Sequence, residues 1–301
     1  MIPPHLSVAG TLETLLAGAF DYSGLFPPAQ LELPAVLANY RTYRASPDAW
    51  ALGKLVIPAD RLGELESLLG ESTRAGTGAI PVSAVLGPDT SADVKAVEAF
   101  NRAAARHGAR VESVETKGSA GAVRAALAAV PTGWTRYVEV SLGEAGIAAL
   151  DEVARAHAFA KVRTGGMTQA AFPSPEHLIA FLEGALRRRL AFKATAGLHH
   201  PLRGTYRLTY AENAPSGVMY GYLNLLLAAA VLWTGGEASL AREGLLEEDP
   251  AALRADAEAL VWRGERLARG ILLTLRADFL HGFGSCSFRE PMDELAAGGW
   301  Q

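Results

Sequence analysis

The sequence predicts an α/β protein: a TIM-type (β/α)8 barrel spanning residues 1–301 as one domain, with a helical insertion at about 204–280 between the seventh and eighth strands. Three observations predict it. Eight short apolar runs alternate with longer amphipathic ones, the pattern of parallel βαβ units. A length of 301 residues suits a barrel of about 250 residues plus insertions. No stretch rich in Pro, Gly or Ser divides the chain, and no repeat of fixed period runs through it.

In chain order, strands are expected at 19–25, 54–58, 80–86, 110–115, 137–142, 159–164, 191–196 and 283–288. Helical patterns lie between them. Residues 60–69 place Leu62, Leu65, Leu68 and Leu69 at helical spacing. Residues 91–107 and 143–157 read the same way, with Gly108 as a helix stop. Ser174-Pro175-Glu176 is a helix start, because serine caps free amides and proline fits the first turn. The long interval 204–280 is expected to hold helices at about 217–234, 237–247 and 250–279. They would pack over the barrel mouth or form the subunit interface of a homo-oligomer. Within the first of them, Asn224 is expected to be buried and hydrogen-bonded.

Composition excludes several classes. Half the residues are hydrophobic and a fifth are charged, as in ordinary globular proteins. The net charge of −4 leaves no broad basic face, so nucleic acid is not expected as a partner. Arg187, Arg188 and Arg189 sit at an expected helix end, where they complement the dipole. Cys286 is the only cysteine; this excludes an internal disulfide and a CxxC metal ribbon, and the residue reads as a small buried apolar group. The most apolar stretch, 218–233, is interrupted by Asn224 and two tyrosines. It is shorter than the ~20 residues of a membrane span, so no membrane partner is expected. MIPPHLSVAG lacks a charged segment followed by an apolar one, which predicts no secretory signal and a cytoplasmic protein.

Of 28 basic side chains only five are lysine, at 54, 95, 117, 161 and 193. Four of the five fall in or beside expected strands. A primary amine is the group that forms Schiff bases or loses its proton when buried, so these positions are candidates for chemistry. Strand alternation narrows them. Phe159, Lys161 and Arg163 share a face; so do Ala191, Lys193 and Thr195, and so do Tyr137, Glu139 and Ser141. The outer face of a barrel strand packs under apolar helices, so these polar sets should point inward. Glu139, Lys161, Arg163 and Lys193 are then expected in one cavity. Three cations against one carboxylate would leave buried charge uncompensated, and a small anionic or carbonyl metabolite would supply the missing partner.

Two strand-end motifs carry a resemblance. AKVRTG at 160–165, followed 32 residues later by FKATAG at 192–197, resembles the sixth and seventh strands of deoxyribose-phosphate aldolase and related class I aldolase barrels, which carry K-x-S-T-G and V-K-A-x-G-G. The stretch GFGSCS at 282–287 is similar to their phosphate-binding turn. The resemblance implies that Lys161 forms the Schiff base and that Lys193 lowers its pKa by like-charge proximity. It also implies that amides near Gly197, Gly284 and Ser285 bind phosphate. The chain departs from the pattern at Arg163 and at His199-His200. On the fourth strand Ser113 and Glu115 stand where an aspartate is expected. Over the whole chain, FDYSGLFPPA and FGSCSF look like a bacterial protein family to which no activity attaches.

Other residues complete the candidate set. His199 and His200, with Arg203 close behind, lie at a strand end, where barrel active sites are built. Neighbours on an extended segment point opposite ways, so one histidine is expected in the site and the other packed. The site histidine would act as acid or base, or as a metal ligand with Glu139, Asp21 or His281, although no HxH or HExxH spacing supports a metal. Asp21 ends the first strand, as a turn cap or as an acid or base at the mouth. Gly165-Gly166 would let a ligand approach the backbone. No cofactor fingerprint is present. The leading expectation is a class I aldolase-like lyase acting on a small anionic carbonyl compound, with Lys161, Lys193, Glu139 and His199 catalytic. Arg163, His200, Arg203, Gly197, Gly284, Ser285 and Asp21 would bind substrate. One alternative is a non-covalent barrel enzyme, with or without a metal, for a phosphorylated or carboxylated substrate. Another is a non-catalytic metabolite-binding or interaction barrel.

Overall fold

Eight parallel strands close into a barrel. The computed structural model of the chain describes residues 10–71 and 79–298; the first nine residues, read above for targeting, lie outside them. The barrel strands are β1 (Phe20–Tyr22), β2 (Leu52–Pro58), β3 (Ile80–Val85), β4 (Ala109–Lys117), β5 (Thr135–Val140), β6 (Phe159–Arg163), β7 (Phe192–Thr195) and, last in the ring, β13 (Leu280–Ser285), which closes on β1. All eight coincide with the expected strands to within a few residues.

A short helix α1 (Thr11–Leu16) precedes the barrel. Around it follow α2 (Leu33–Arg44), α3 (Leu62–Glu71), α4 (Thr90–Ala103), α5 (Val123–Ala126), α6 (Glu144–Arg155), α7 (Pro175–Arg187), α8 (Tyr222–Trp233) and, at the end, α11 (Arg289–Ala297). Ser174 caps α7 by accepting from the His177 amide, with Pro175 in the first turn. Gly108, at φ 71°, stops the turn that extends α4. The outward faces of the strands are apolar. Phe192 meets Phe181 of α7 and Phe279 edge-on, and Phe20 and Phe283 pack on Tyr222 of α8. Each such ring stabilises the fold by roughly 1.5–3 kcal/mol through removal from water.

The interval 204–280 differs from expectation. It begins with a hairpin of β8 (Gly204–Arg207) and β9 (Ser216–Met219). Next, α8 is buried on every side and serves as the seventh barrel helix, against α7 and β13. A helix α9 (Ala238–Leu245) covers it. Residues 250–279 are not one helix. They form an antiparallel meander of β10 (Leu253–Ala255), β11 (Ala259–Trp262) and β12 (Glu265–Ala268), followed by α10 (Arg269–Asp278). Arg263 and Gly264, both at positive φ, make the two-residue turn between paired Trp262 and Glu265, the geometry of a hairpin turn. Buried Glu247 fixes this turn: it accepts Trp262 Nε1 at 2.8 Å and Arg263 Nε at 2.5 Å. The hydrogen bond from Arg263 outweighs burial and holds the Glu247 carboxyl down at about 2.

Asn224 is buried and fully hydrogen-bonded. Its oxygen accepts the Arg203 and Gly221 amides, and its amide donates to the Gly244 and Glu247 carbonyls. Among the described residues no helix is long and apolar enough to cross a membrane.

Candidate active site

The floor of the barrel interior is aromatic. Tyr137 and Phe159 touch His281, with the Tyr137 hydroxyl 2.8 Å from His281 Nδ1. Burial, then the Arg276 charge, pushes His281 down to about 4. His281 is thus neutral and lies at the opposite end from the mouth.

Above the floor, register places charged residues side by side. Glu139 pairs with Lys161 across β5 and β6, and Lys161 with Lys193 across β6 and β7. Lys193 stands over the Tyr137 ring, its Nζ 5.1 Å from the centroid. Its ammonium contacts Asp21 Oδ2 at 2.9 Å and Glu115 Oε1 at 2.5 Å. The other oxygen of Glu115 meets Lys161 Nζ at 2.8 Å, and Lys161 in turn meets Glu139 Oε2 at 2.9 Å. Lys117 lies beyond, 3.8 Å from Glu139. The charges therefore alternate, Asp21, Lys193, Glu115, Lys161, Glu139, Lys117, from the depth of the barrel to its rim.

Glu115 is the centre of this array. Its side chain is 2% exposed, and Ser83, backed by Ser113, donates to it. Burial pushes its pKa up, but the Lys161 and Lys193 charges prevail and hold it well below the usual carboxylate range. For Lys193, burial favours the neutral amine, yet Asp21 and Glu115 overcome this and raise it above the ordinary lysine value. Two expectations are corrected. The interior cations do not lack partners, because Asp21 and Glu115 supply them. Nor do the two lysines face each other directly, because one carboxylate is shared between them.

A cavity of about 590 Å³ opens above the array, within the ordinary size range of ligand sites. Glu115, Lys117, Glu139, Lys161, Arg163 and Lys193 line it. Arg163 is exposed at the mouth and takes part in none of the ion pairs formed among the described residues. Gly197 and Gly284 also line the cavity. A Cβ on Gly197, at φ +74°, would crowd the Phe172 ring. Beside Arg163 and Lys117 the rim carries apolar side chains, Phe26, Met167, Leu208 and Met219. Two of these, Leu208 and Met219, come from the β8–β9 segment, so it is this hairpin that overlies the mouth.

The remaining candidates divide. His199 lines the cavity, while His200 turns away, stacks on Tyr206 at 3.4 Å and meets Glu294 at 2.8 Å. Burial, foremost, keeps His200 below its ordinary value. Burial also disfavours a charged His199, but hydrogen bonding to the Cys286 sulfur and the Glu290 carboxylate outweighs it and lifts His199 to about 10. Arg203 does not reach the cavity; its guanidinium pairs with Glu248. Ser285 is buried, with its hydroxyl 3.5 Å from His199 Nδ1. Asp21 is not at the mouth: its other oxygen accepts the Lys54 amide at 2.7 Å, an approach open because Gly53 has no Cβ. Among the described residues no group of three or more His, Cys, Asp or Glu could hold a metal ion.

Glu115 and Lys117 escaped the sequence reading as site residues. The signal was available, since Ser113, Glu115 and Lys117 share a face of β4 by the same alternation that selected Lys161. No protein-family model matches the chain, and no curated protein matches it.

Proposed function

We propose that this barrel is a lyase of the class I aldolase type, in which Lys161 forms a Schiff base with a small carbonyl compound bearing an anionic group. The observation that carries the reading is the seat of the Lys161 amine. It lines an open cavity between two carboxylates, above a second lysine held charged by its own partners. To attack a carbonyl, the ammonium must first lose a proton, and Glu139 at 2.9 Å is the acceptor. Glu115 stays with Lys193. Loss of water from the carbinolamine, with the proton returned by Glu139, gives a protonated imine at the position the ammonium held. Glu115 and Glu139 are therefore already arranged around the cation that chemistry creates, the electrostatic preorganisation that lowers such barriers. Glu139, again a carboxylate, takes the proton of the substrate's β-hydroxyl as the C–C bond breaks, the carbonyl fragment leaves and the imine accepts the electron pair; that proton then returns to carbon of the resulting enamine, and hydrolysis frees the amine. Arg163 and Lys117 at the rim suit a carboxylate or phosphate on the substrate.

The test is reductive trapping. With sodium borohydride and, in turn, acetaldehyde, pyruvate and dihydroxyacetone phosphate, peptide mapping should find an adduct on Lys161 and none after Lys161→Arg. Absence of an adduct with all three carbonyls, or equal labelling of exposed Lys95, refutes the reading.

A further inference from the structure

Where β13 ends, the same cavity carries a group of side chains that the lysine chemistry does not use. Cys286 and His199 both line it, and both are buried, at 5% and 8% exposure. The imidazole is held in one orientation. Nε2 faces the Cys286 sulfur at 4.0 Å, while Nδ1 faces Glu290 Oε2 at 3.2 Å and the Ser285 hydroxyl at 3.5 Å. Glu290, on the first turn of α11, is itself fixed: the Tyr210 hydroxyl donates to it at 2.6 Å, and its amide donates to Ser287 Oγ at 3.2 Å. The Tyr210 oxygen also lies 3.7 Å from the sulfur. Two further titratable neighbours border these groups: the His200 ring, paired with Glu294, is centred 6.3 Å from that of His199, and Tyr22 lies near enough to Cys286 to interact with it.

Sulfur, imidazole and carboxylate thus follow in the order nucleophile, base and orienting group, the relation that defines covalent acyl-transfer sites on unrelated folds. A separation of 4.0 Å is loose, as such contacts often are before substrate tightens them. Leu208 and Met219, which rim the cavity, also border His199, Tyr210 and Glu290, so an apolar chain has a wall to lie on beside the sulfur.

We propose that Cys286 is a second nucleophile of this cavity, activated by His199 and Glu290, which accepts acyl groups from thioesters or activated esters. The step balances without a further reactant. The thiol proton rests on His199, whose imidazolium is held between the Cys286 sulfur and the Glu290 carboxylate, and the sulfur adds as the thiolate to the acyl carbon. The carbon–heteroatom bond to the leaving group breaks, and the leaving thiol or alcohol departs with the proton from His199. Water, deprotonated by the now neutral His199, adds to the acyl-cysteine. The carbon–sulfur bond breaks, the carboxylic acid leaves, and the sulfur regains its proton through the imidazole. The Lys161 amine has no part in this sequence, so the proposal stands independently of the Schiff-base reading.

Because Cys286 is the only cysteine, mass spectrometry reads this site alone. The full chain and its His199→Gln, Glu290→Gln, Cys286→Ala and Lys161→Arg variants are treated at pH 6 with iodoacetamide, and separately with 4-nitrophenyl acetate; each variant is first checked by thermal unfolding. An ordinary thiol, near pKa 8.5, is only about 0.3% thiolate at that pH; allowing for the weaker nucleophilicity of a more acidic thiol, activation by His199 should speed alkylation about 10-fold over His199→Gln. The ester should leave an acetyl group on the Cys286 peptide of the wild type and of Lys161→Arg, with Glu290→Gln slower and Cys286→Ala unlabelled there. Alkylation of His199→Gln at the wild-type rate overturns the proposal, and so does a wild type with no acetyl group on Cys286. Should His199→Gln fail to fold, Glu290→Gln decides: a slower rate supports the triad and an unchanged one overturns it.

Discussion

Replacing Glu115 with glutamine removes one charge from the middle of the buried array and leaves its shape nearly intact. In the wild type the carboxylate serves Lys193 at 2.5 Å, Lys161 at 2.8 Å and the Ser83 hydroxyl at 2.8 Å. The amide oxygen of glutamine can retain one ammonium, but its NH2 group is then turned, donor against donor, onto the other. Removing one partner of a buried ion pair costs about 3–5 kcal/mol. At roughly 2–4 °C per kcal/mol for a large domain, the thermal midpoint at pH 7 should fall by about 10 °C. The pH dependence carries the sharper test. The folded-state pKa of Glu115 lies below its unfolded value, so its stabilisation is complete above about pH 4.3 and fades as pH falls further. Urea unfolding at pH 7, 5 and 3.5 should show a gap between wild type and Glu115→Gln that holds from 7 to 5 and narrows at 3.5. A gap below about 1 kcal/mol at pH 7, the size of an exposed pair, would refute the account of Glu115 as the shared counter-charge, as would a gap that does not change with pH.

Three further outcomes are expected. His281 is held near 4 by burial and Arg276, so the wild type should lose stability as pH falls from about 6.5 toward that value; urea unfolding at pH 7 and 4.5 should show a smaller loss for His281→Gln. Asn224→Leu would leave the Arg203 and Gly221 amides and the Glu247 carbonyl without the partners Asn224 gives them; at about 1–3 kcal/mol for each buried group left unsatisfied, the variant should unfold at clearly lower urea or fail to accumulate. A Cβ on Gly221 would stand 2.2 Å from the Pro201 carbonyl oxygen and 2.4 Å from Leu202 Cα. Gly221→Ala should therefore destabilise by about 2 kcal/mol or more, whereas Gly63→Ala, with open space at that position, should be close to neutral by the same melt.

The barrel was legible in the sequence because its strands are uniform in what they bury. Outward residues such as Phe192 and Val162 meet helices and must be apolar, so the polar side chains that alternate with them have only the interior to enter. That rule located Lys161, Lys193 and Glu139 correctly on one wall. On β4 the same rule turns Ser113, Glu115 and Lys117 inward, but the resemblance marks Glu115 only as a residue standing where an aspartate is expected. Asp21 was harder. Its partner Lys193 lies 172 positions away, two strands round the ring, and no local pattern encodes that meeting. The meander at 253–268 was hidden for a different reason. Alanine, leucine, arginine and glutamate dominate it, and all are good helix formers. Tertiary anchoring by Glu247 on Trp262 and Arg263 overrides that preference, and the Arg263-Gly264 turn lacks the Asn-Gly or Asp-Gly signature that announces a hairpin. Cys286 read as an inert apolar group because its histidine and carboxylate arrive from other elements.

The order of charges through the barrel also bears on how the chain can assemble. Strands β1 to β4 bring two carboxylates to the interior, Asp21 and Glu115, whereas the remaining strands bring two ammonium groups against the single carboxylate of Glu139. Neither half can neutralise itself. An incomplete ring would have to keep its centre wet to solvate the surplus, and that forbids the tight packing that would otherwise let half a barrel persist. The two halves nonetheless attract each other across the gap, so electrostatics penalises the open form and rewards the last seam.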